Sequence, residues 1–246
     1  MSTARLVFLT GAGMSAESGV PTFRDGLTGL WSRFDAEALA TPQAFRRDPA
    51  LVWGWYRWRA WQLLQVEPNA GHRAIAALER LGHAVDVVTQ NVDDLHERAG
   101  STRVAHLHGR LLQSCCFDCG ARRGPDPITV GLAPPEGGGH EAPPACHACG
   151  GPVRPDVVWF GEALPGDAWD AGVQAISRCD RVVVVGTSGL VQPAASLPRV
   201  ARELGKPVLE INPVPSAVTP LADVHWAMTA SAGLERLAAE LGGESS

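Results

Sequence analysis

The side chains most able to do chemistry fall in short clusters. Cys116-Phe117-Asp118-Cys119 and Cys146-His147-Ala148-Cys149 form two C-x-x-C pairs with 26 residues between them. Four soft thiolates suit a tetrahedral zinc ion, and the two-residue spacer lets each pair grip the ion as a knuckle. A closed shell of four thiolates leaves no open coordination position, so the expected ion is structural. The competing readings are four unrelated buried thiols or a redox pair. Cys115 adjoins the first knuckle but breaks its spacing; Cys179, just ahead of a valine run, reads as a core thiol.

A second cluster is the turn Gly11-Ala12-Gly13-Met14-Ser15-Ala16, behind the apolar stretch Arg5–Thr10. It satisfies G-x-G-x-x-A after a strand: the glycines let the backbone approach a pyrophosphate, and a following helix would offer its N-terminal amides. Short glycine turns also occur with no ligand. A hydride-transfer enzyme expects an acidic residue about 20 positions on, at the end of a second strand. Asp35 has the distance but sits in RFDAEAL, which has no strand character, and Pro21-Thr22-Phe23-Arg24 does not continue the helix. The hydride-carrier reading is therefore weak.

Further polar groups collect where apolar runs end. Gln90, Asn91 and Asp93 follow Ala84–Val88, at the kind of strand terminus where open α/β sheets bind ligands. Asn91 and Gln90 suit ribose hydroxyls and Asp93 suits an amide donor, although Asn and Asp serve equally as turn and cap residues. In VAHLHGRL, His108 precedes a glycine and suits a general base near neutral pH, whereas His106 is flanked by apolar residues and reads as structural. Gly186-Thr187-Ser188-Gly189 ends a valine run, and Asn212 ends LEIN. Both offer phosphate or ribose contacts at the same sheet edge.

The elements that must position these groups alternate. Strand signals at Arg5–Thr10, Ala84–Gln90, Val104–His106, Arg181–Gly186, Pro207–Asn212 and Val224–Met228 enclose helical patterns such as Asn69–Leu81 and Pro193–Leu204. The uninterrupted VVVVG fits a parallel strand covered on both faces. The expected fold is α/β, a Rossmann-like doubly wound parallel sheet, with a smaller zinc-ribbon and helical domain inserted. Its Rossmann-like part is expected at 1–31, 69–112 and 154–246. The small domain combines a tryptophan-rich helical insertion, 32–68, with a zinc-binding module, 113–153. The Pro/Gly-rich middle of that module would be odd as a free loop, and a metal makes it sensible.

Composition narrows the classes further. The chain has 246 residues, enough for a large domain with a satellite, and a net charge of −5 with no basic tract, a poor match to duplex nucleic acid. No apolar run approaches the roughly 20 residues of a membrane span, and residues 1–10 lack a secretory signal pattern. A cytoplasmic, reduced protein is expected, with six cysteines that argue for metal or inert thiols rather than disulfides.

Taken together, GAGMSAESGVPTFR, TQNVDDLH, HLHG, the two C-x-x-C knuckles, VVWFGE, GTSGLVQPA and EIN resemble the sirtuins, NAD-dependent protein-lysine deacylases, in family order from Gly11 to Asn212. The resemblance implies that NAD is a co-substrate to be cleaved. It implies NAD contacts from Gly11, Ala12, Gly13, Ser15, Ala16 and Glu17, and from Phe23, Arg24 and Trp31 in a loop over the nicotinamide ribose. Gln90, Asn91, Val92 and Asp93 would serve the reactive ribose and the carboxamide. Gly186, Thr187, Ser188, Asn212, Pro213, Val214 and Ala230 would complete the cofactor site.

His108 is implied as the general base. The acyl oxygen would attack C1′ of the ribose and expel nicotinamide, leaving an O-alkylimidate; His108 would then take a proton from the ribose hydroxyls, and water would release deacylated lysine and O-acyl-ADP-ribose. The acyl-lysine peptide would add as a strand between Val157–Glu162 and Gly189–Val191, touching Val158, Phe160, Gly161, Glu162, Gly189, Leu190 and Val191. The sequence departs from the family pattern at Asp25, where a small residue is usual, in an Asp25–Leu30 loop about one residue longer, and at Cys115, where arginine is common.

Tyr56 and Arg59, in WYRWR, are three apart and share a helix face. Such arginines commonly face solvent, but a Tyr-x-x-Arg pair here resembles the class III sirtuins that remove succinyl, malonyl and glutaryl groups, in which the guanidinium grips a carboxylate. The expected activity is desuccinylation and demalonylation alongside deacetylation, by a monomer acting on acyl-lysine proteins, with no nucleic-acid or membrane partner. The alternatives are a mono-ADP-ribosyltransferase and a non-catalytic NAD-sensing or zinc-ribbon binding module.

Overall fold

The computed structural model describes residues 3–20, 36–123, 128, 133–135 and 137–242. In chain order its elements are β1 (Arg5–Thr10), α1 (Gly13–Ala16), α2 (Ala36–Leu39), α3 (Pro42–Arg47), α4 (Pro49–Leu64) and α5 (Ala70–Arg80). There follow β2 (Ala84–Thr89), α6 (Leu95–Ala99), β3 (Val104–His106), β4 (Gly109–Cys116), β5 (Arg122–Arg123) and β6 (Val153–Val157). The chain ends with α7 (Gly166–Arg178), β7 (Arg181–Val185), α8 (Leu197–Glu203), β8 (Val208–Ile211), β9 (Val224–Trp226) and α9 (Ala230–Gly242). Contacts divide it into two units, Met1–Thr22 with Glu67–Leu107 and Leu164–Ser246, and Phe23–Val66 with His108–Ala163.

The first unit is built on a six-stranded sheet in the order β3-β2-β1-β7-β8-β9, with every pairing parallel. Successive side chains of a strand leave on opposite faces. Leu6, Phe8, Val183, Val185 and Ile211 pack against Ile75 and Leu78 of α5 and Leu234 and Leu237 of α9. Val7, Leu9, Val182, Val184 and Val208 pack against Ile176 of α7 and Leu197 and Ala201 of α8. Both faces are covered, which is why these strands read as unbroken apolar runs. The strand order reverses between β1 and β7, and the crevice at the carboxyl ends there is the position where such sheets take ligands. Helix α5 starts cleanly: the Asn69 side chain accepts from the His72 amide, and His72 Nδ1 accepts from the Asn69 amide.

The second unit joins α2, α3 and α4 to an antiparallel sheet ordered β5-β4-β6. The boundaries expected at 112/113 and 153/154 fall inside β4 and β6. These strands pair with each other from Gly109–Val157 to Cys116–Val153, so both belong to this unit. Helices α3 and α4 each begin with proline behind a capping residue, Thr41 accepting from the Ala44 amide and Asp48 from the Leu51 amide. Helix α4 buries Val52, Trp53, Trp55, Tyr56, Trp58 and Leu63, positions that run right round it.

That all-round burial has a backbone cause. A Cβ on Gly54 would lie 1.7 Å from the Gly139 carbonyl oxygen, and one on Gly138, at φ +72°, would lie 2.5 Å from the Gly54 carbonyl oxygen. The Gly137–Gly139 run therefore lies directly on α4. The Glu141 amide donates to the Ala50 carbonyl, and Glu141 pairs with Arg57. The Pro/Gly-rich middle of the cysteine segment is a strap packed on a helix.

Candidate functional site

In the second unit, the Cys116, Cys119, Cys146 and Cys149 sulfurs all lie within 4.8 Å of one another, with Cys116 to Cys149 at 3.4 Å and Cys119 to Cys146 at 3.9 Å. Zinc–sulfur bonds of about 2.3 Å in a tetrahedron put sulfurs about 3.8 Å apart, so the four thiolates fit one zinc ion. The two knuckles are built alike. The Gly120 amide donates to the Cys116 carbonyl and the Gly150 amide to the Cys146 carbonyl, with Gly120 at φ +69° and Gly150 at φ +77°. Amides of Cys119 and Gly151 approach the Cys116 and Cys149 sulfurs. Cys115 stands outside the tetrad on β4, its thiol pushed up to about 12 by burial and by Asp156. Cys179 is buried and donates to the Ile176 carbonyl, as befits a core thiol.

In the first unit, the glycine turn after β1 lies against the turn after β7. The Gly11 amide donates to the Val185 carbonyl at 3.0 Å and the Gly13 amide to the Gly186 carbonyl at 2.8 Å. A Cβ on Gly11 would sit 2.8 Å from Thr187 Cβ, and one on Gly186, at φ +60°, 2.5 Å from the Gly13 carbonyl carbon. The glycines are thus required by backbone packing at the switch point. The expected helix is one turn, α1, in which the Met14 amide bonds Gly11 and the Ser15 amide bonds Ala12. Between Gly11 and Ser15, the amide of exposed Ala12 alone meets no acceptor among the described residues.

Around this turn the predicted polar residues converge. Ser15 Oγ donates to Asp93 Oδ2 at 2.8 Å and accepts from Asn91 Nδ2 at 3.0 Å, and Asp93 Oδ1 accepts from the Leu95 amide. Burial raises the Asp93 carboxyl above its usual range, against the opposing pull of Ser15 and the Leu95 amide. The Thr89 hydroxyl holds the Asn91 amide. Thr187 is a hub: its Oγ1 accepts from Gln90 Nε2 at 3.1 Å and from the Gly189 amide, and its carbonyl accepts from Asn212 Nδ2 at 3.0 Å.

Ala16 is exposed at the end of α1, and Glu17 accepts from the Ser231 amide at the start of α9. Val92 is half-buried between Asn91 and Asp93, and the Ser188 carbonyl accepts from the Ala217 amide. Pro213 and Val214 are exposed beyond β8, whereas Ala230 is buried among the residues under α9. Phe23, Arg24 and Trp31, like Asp25 and the Asp25–Leu30 loop, lie outside the described residues.

The two adjacent histidines differ. His106 is buried, with Nδ1 3.2 Å from the Asn91 carbonyl oxygen and Nε2 2.8 Å from Glu97 Oε1. His108 is half-buried on the turn before β4, and its carbonyl accepts from the Val158 amide at 2.8 Å. Three further histidines, His72, His83 and His96, are buried and were not singled out by sequence. His96 Nε2 lies 3.2 Å from Thr10 Oγ1, and burial brings His72 down to about 4 and His96 well below its usual value, so both are neutral.

In the second unit, Tyr56 and Arg59 share one face of α4, with the Arg59 guanidinium 5.8 Å from the Tyr56 ring centroid and 4.9 Å from that of Trp55. Tyr56 Oη accepts from Trp159 Nε1 at 2.9 Å, and burial pushes its hydroxyl up to about 12. The Arg154 guanidinium lies 3.3 Å from the Trp159 ring centroid and donates to the Glu162 carboxylate and the Val157 carbonyl. Neither residue is among the candidates read from sequence, although Trp159 lies within VVWFGE and Arg154 three residues before it.

Strand β6 ends at Val157, and Trp159-Phe160-Gly161-Glu162 is a turn closed by the Glu162 amide on the Trp159 carbonyl, with Gly161 at φ +87°. The Val158 amide bonds His108, the Trp159 amide bonds the Glu162 side chain and the Phe160 amide bonds Ala40; Gly161's amide meets no acceptor among the described residues. In the first unit, Gly189 lies at φ +67°, and Leu190 and Val191 are exposed large apolar side chains.

The family model described as "Sir2 family" matches residues 11–193. "NAD-dependent protein deacylase 2" of Pyrobaculum aerophilum is 52% identical over 240 residues, covering 98% of this chain and 92% of that protein. "NAD-dependent protein deacylase 1" of Pseudomonas aeruginosa is 58% identical over 211 residues, covering 86% and 84%. A crystal structure of a Sir2 homologue in complex with NAD superposes with a TM-score of 0.88 at 46% identity, covering 98% of this chain and 90% of that one.

Proposed function

The chain belongs to the Sir2 family, is an NAD-dependent protein deacylase and, we propose, removes succinyl and malonyl groups as well as acetyl groups from lysine. The observation that carries the last step is that the Arg59 guanidinium lies 5.8 Å from the ring centroid of buried Tyr56, on the same helix face. A cation and a hydrogen-bond donor held together suit a carboxylate at the far end of an acyl chain.

NAD supplies the electrophilic ribose carbon and nicotinamide as the leaving group, and the acyl chain is released as O-acyl-ADP-ribose. Several groups offer NAD contacts in this reading. The exposed Ala12 amide offers a donor to phosphate. Asp93, oriented by Ser15, offers an acceptor to the carboxamide N–H, and Gln90, Thr187 and Asn212 offer ribose contacts. His108 removes a ribose hydroxyl proton, and the Gly161 amide takes a carbonyl of the incoming peptide. The zinc tetrad keeps the second unit folded and takes no part in the reaction.

We further propose a cytoplasmic setting, where reduced cysteines remain available to metal, and action as a monomer on acylated proteins without nucleic acid or membrane. Among the described residues no helix is long and apolar enough to cross a membrane. The test is to incubate the protein with NAD and acetyl-, malonyl-, succinyl- and glutaryl-lysine versions of one peptide, reading products by mass spectrometry. Arg59→Met should lower the succinyl-to-acetyl ratio of kcat/KM by about tenfold to a hundredfold, the worth of a charge-assisted hydrogen bond. A wild type that turns over only acetyl-lysine would reduce the proposal to deacetylation.

A further inference from the structure

We propose that Trp159 is a positioning residue that sets the acyl preference, by fixing Tyr56 as a hydrogen-bond donor to the carboxylate end of the acyl chain. The proposal rests on the reading of Tyr56 and Arg59 given above. An indole N–H only donates, so at 2.9 Å from Trp159 Nε1 the Tyr56 oxygen is the acceptor. A phenol has one proton, which therefore points away from Trp159. No acceptor meets it among the described residues, and Tyr56 is 2% exposed. A buried donor held without an acceptor calls for a ligand that supplies one. A carboxylate has only lone pairs to offer and is drawn by the nearby Arg59, whereas an alkyl end offers nothing.

The direction of that proton is only as firm as Trp159 itself, and Trp159 is held on several sides. The Arg154 guanidinium lies on its ring at 3.3 Å from the centroid, its amide donates to Glu162 Oε2 at 2.8 Å, and the Phe45 ring packs at 5.3 Å. The neighbouring carboxylate, Glu162, is itself engaged by Arg154 and the Trp159 amide, so it does not compete for the phenol.

The test measures kcat/KM for succinyl- and acetyl-lysine versions of one peptide in wild type, Trp159→Phe, Tyr56→Phe, the double variant and Arg59→Met. Trp159→Phe should lower the succinyl-to-acetyl ratio about three- to tenfold, chiefly through KM for the succinyl peptide. In the Tyr56→Phe background it should lower the ratio no further. An equal extra loss in that background, or an unchanged ratio in Trp159→Phe while Arg59→Met lowers it, overturns the role of Trp159 and leaves the carboxylate pocket standing. An unchanged ratio in Arg59→Met removes the pocket and the role together.

A second measurement covers misfolding of Trp159→Phe. Tyr56 is the chain's one tyrosine, so protein labelled with ζ-13C tyrosine gives a single resonance. It should shift with the succinyl peptide and not with the acetyl peptide. Benzothienylalanine at position 159, which keeps the bicyclic ring without the N–H, should abolish that selectivity. Selectivity retained in that protein, or absent in the wild type, overturns the inference.

Discussion

The Ser15 hydroxyl donates to Asp93 Oδ2 at 2.8 Å, tying the glycine turn after β1 to the loop after β2. Because the same oxygen accepts from Asn91, three residues expected to serve NAD form one buried chain. The hydroxyl favours the ionised form of Asp93, which burial otherwise disfavours. Ser15→Ala removes that support, so the Asp93 carboxyl should rise further. Accepting from a carboxamide needs the carboxylate, and KM for NAD therefore climbs as pH falls through the Asp93 pKa. In Ser15→Ala the climb should begin at higher pH, with kcat/KM for NAD about tenfold lower at neutral pH. Titrating KM for NAD from pH 5 to 9 checks this; superimposable acid limbs would mean that Ser15 acts elsewhere.

Removing zinc should unfold the second unit first. Chelation, or Cys116→Ser, should lower Tm by about 5–10 °C or more, since a structural zinc contributes several kcal/mol and each kcal/mol is worth roughly 2–4 °C in a chain this size. Metal analysis should find one zinc per chain, retained in Cys115→Ser because that thiol lies outside the tetrad. Equal zinc loss in both variants would place Cys115 among the ligands.

The histidines two residues apart should fail differently. His108→Ala should lower kcat roughly 10²–10⁴-fold, the usual worth of a general base, while Tm stays within about 2 °C because the side chain is half-buried. His106 is buried between Glu97 and the Asn91 carbonyl, so His106→Ala should lose about 1–3 kcal/mol of stability and raise KM for NAD by loosening the Asn91 loop. Measuring kcat, KM and Tm for both variants separates the roles. A stable His106→Ala with abolished turnover would exchange them.

Much of the frame was legible because its signals are local. Strand β1 lies on the residues expected, since a parallel strand covered on both faces must be an apolar run, and the short edge strand β3 lies on its expected residues as well. The C-x-x-C knuckles announce themselves by spacing, and the polar residues after β2, β7 and β8 do meet the glycine turn through Ser15 and Thr187. What stayed hidden depends on distant partners. The pairing of β4 with β6 moves the unit boundaries, and neither Trp159 nor Arg154 shows from composition that it braces Tyr56.

Gly54 gives the sharpest contrast between local and distant effects. It lies inside α4, where helix propensity alone favours Gly54→Ala by about 1 kcal/mol. The added methyl, however, would meet the Gly139 carbonyl oxygen at 1.7 Å, a backbone atom of the strap leading to the second cysteine pair. Overpacking against backbone costs about 1–3 kcal/mol or more, so the contact should outweigh propensity. Gly54→Ala should lower Tm by several degrees and weaken zinc retention during chelator challenge. Gly139→Ala is the control, because among the described residues a Cβ there finds only Pro135 Cγ at 3.8 Å and should leave Tm nearly unchanged. If Gly54→Ala instead raises Tm, the strap does not lie on α4, and the burial of the helix needs another cause.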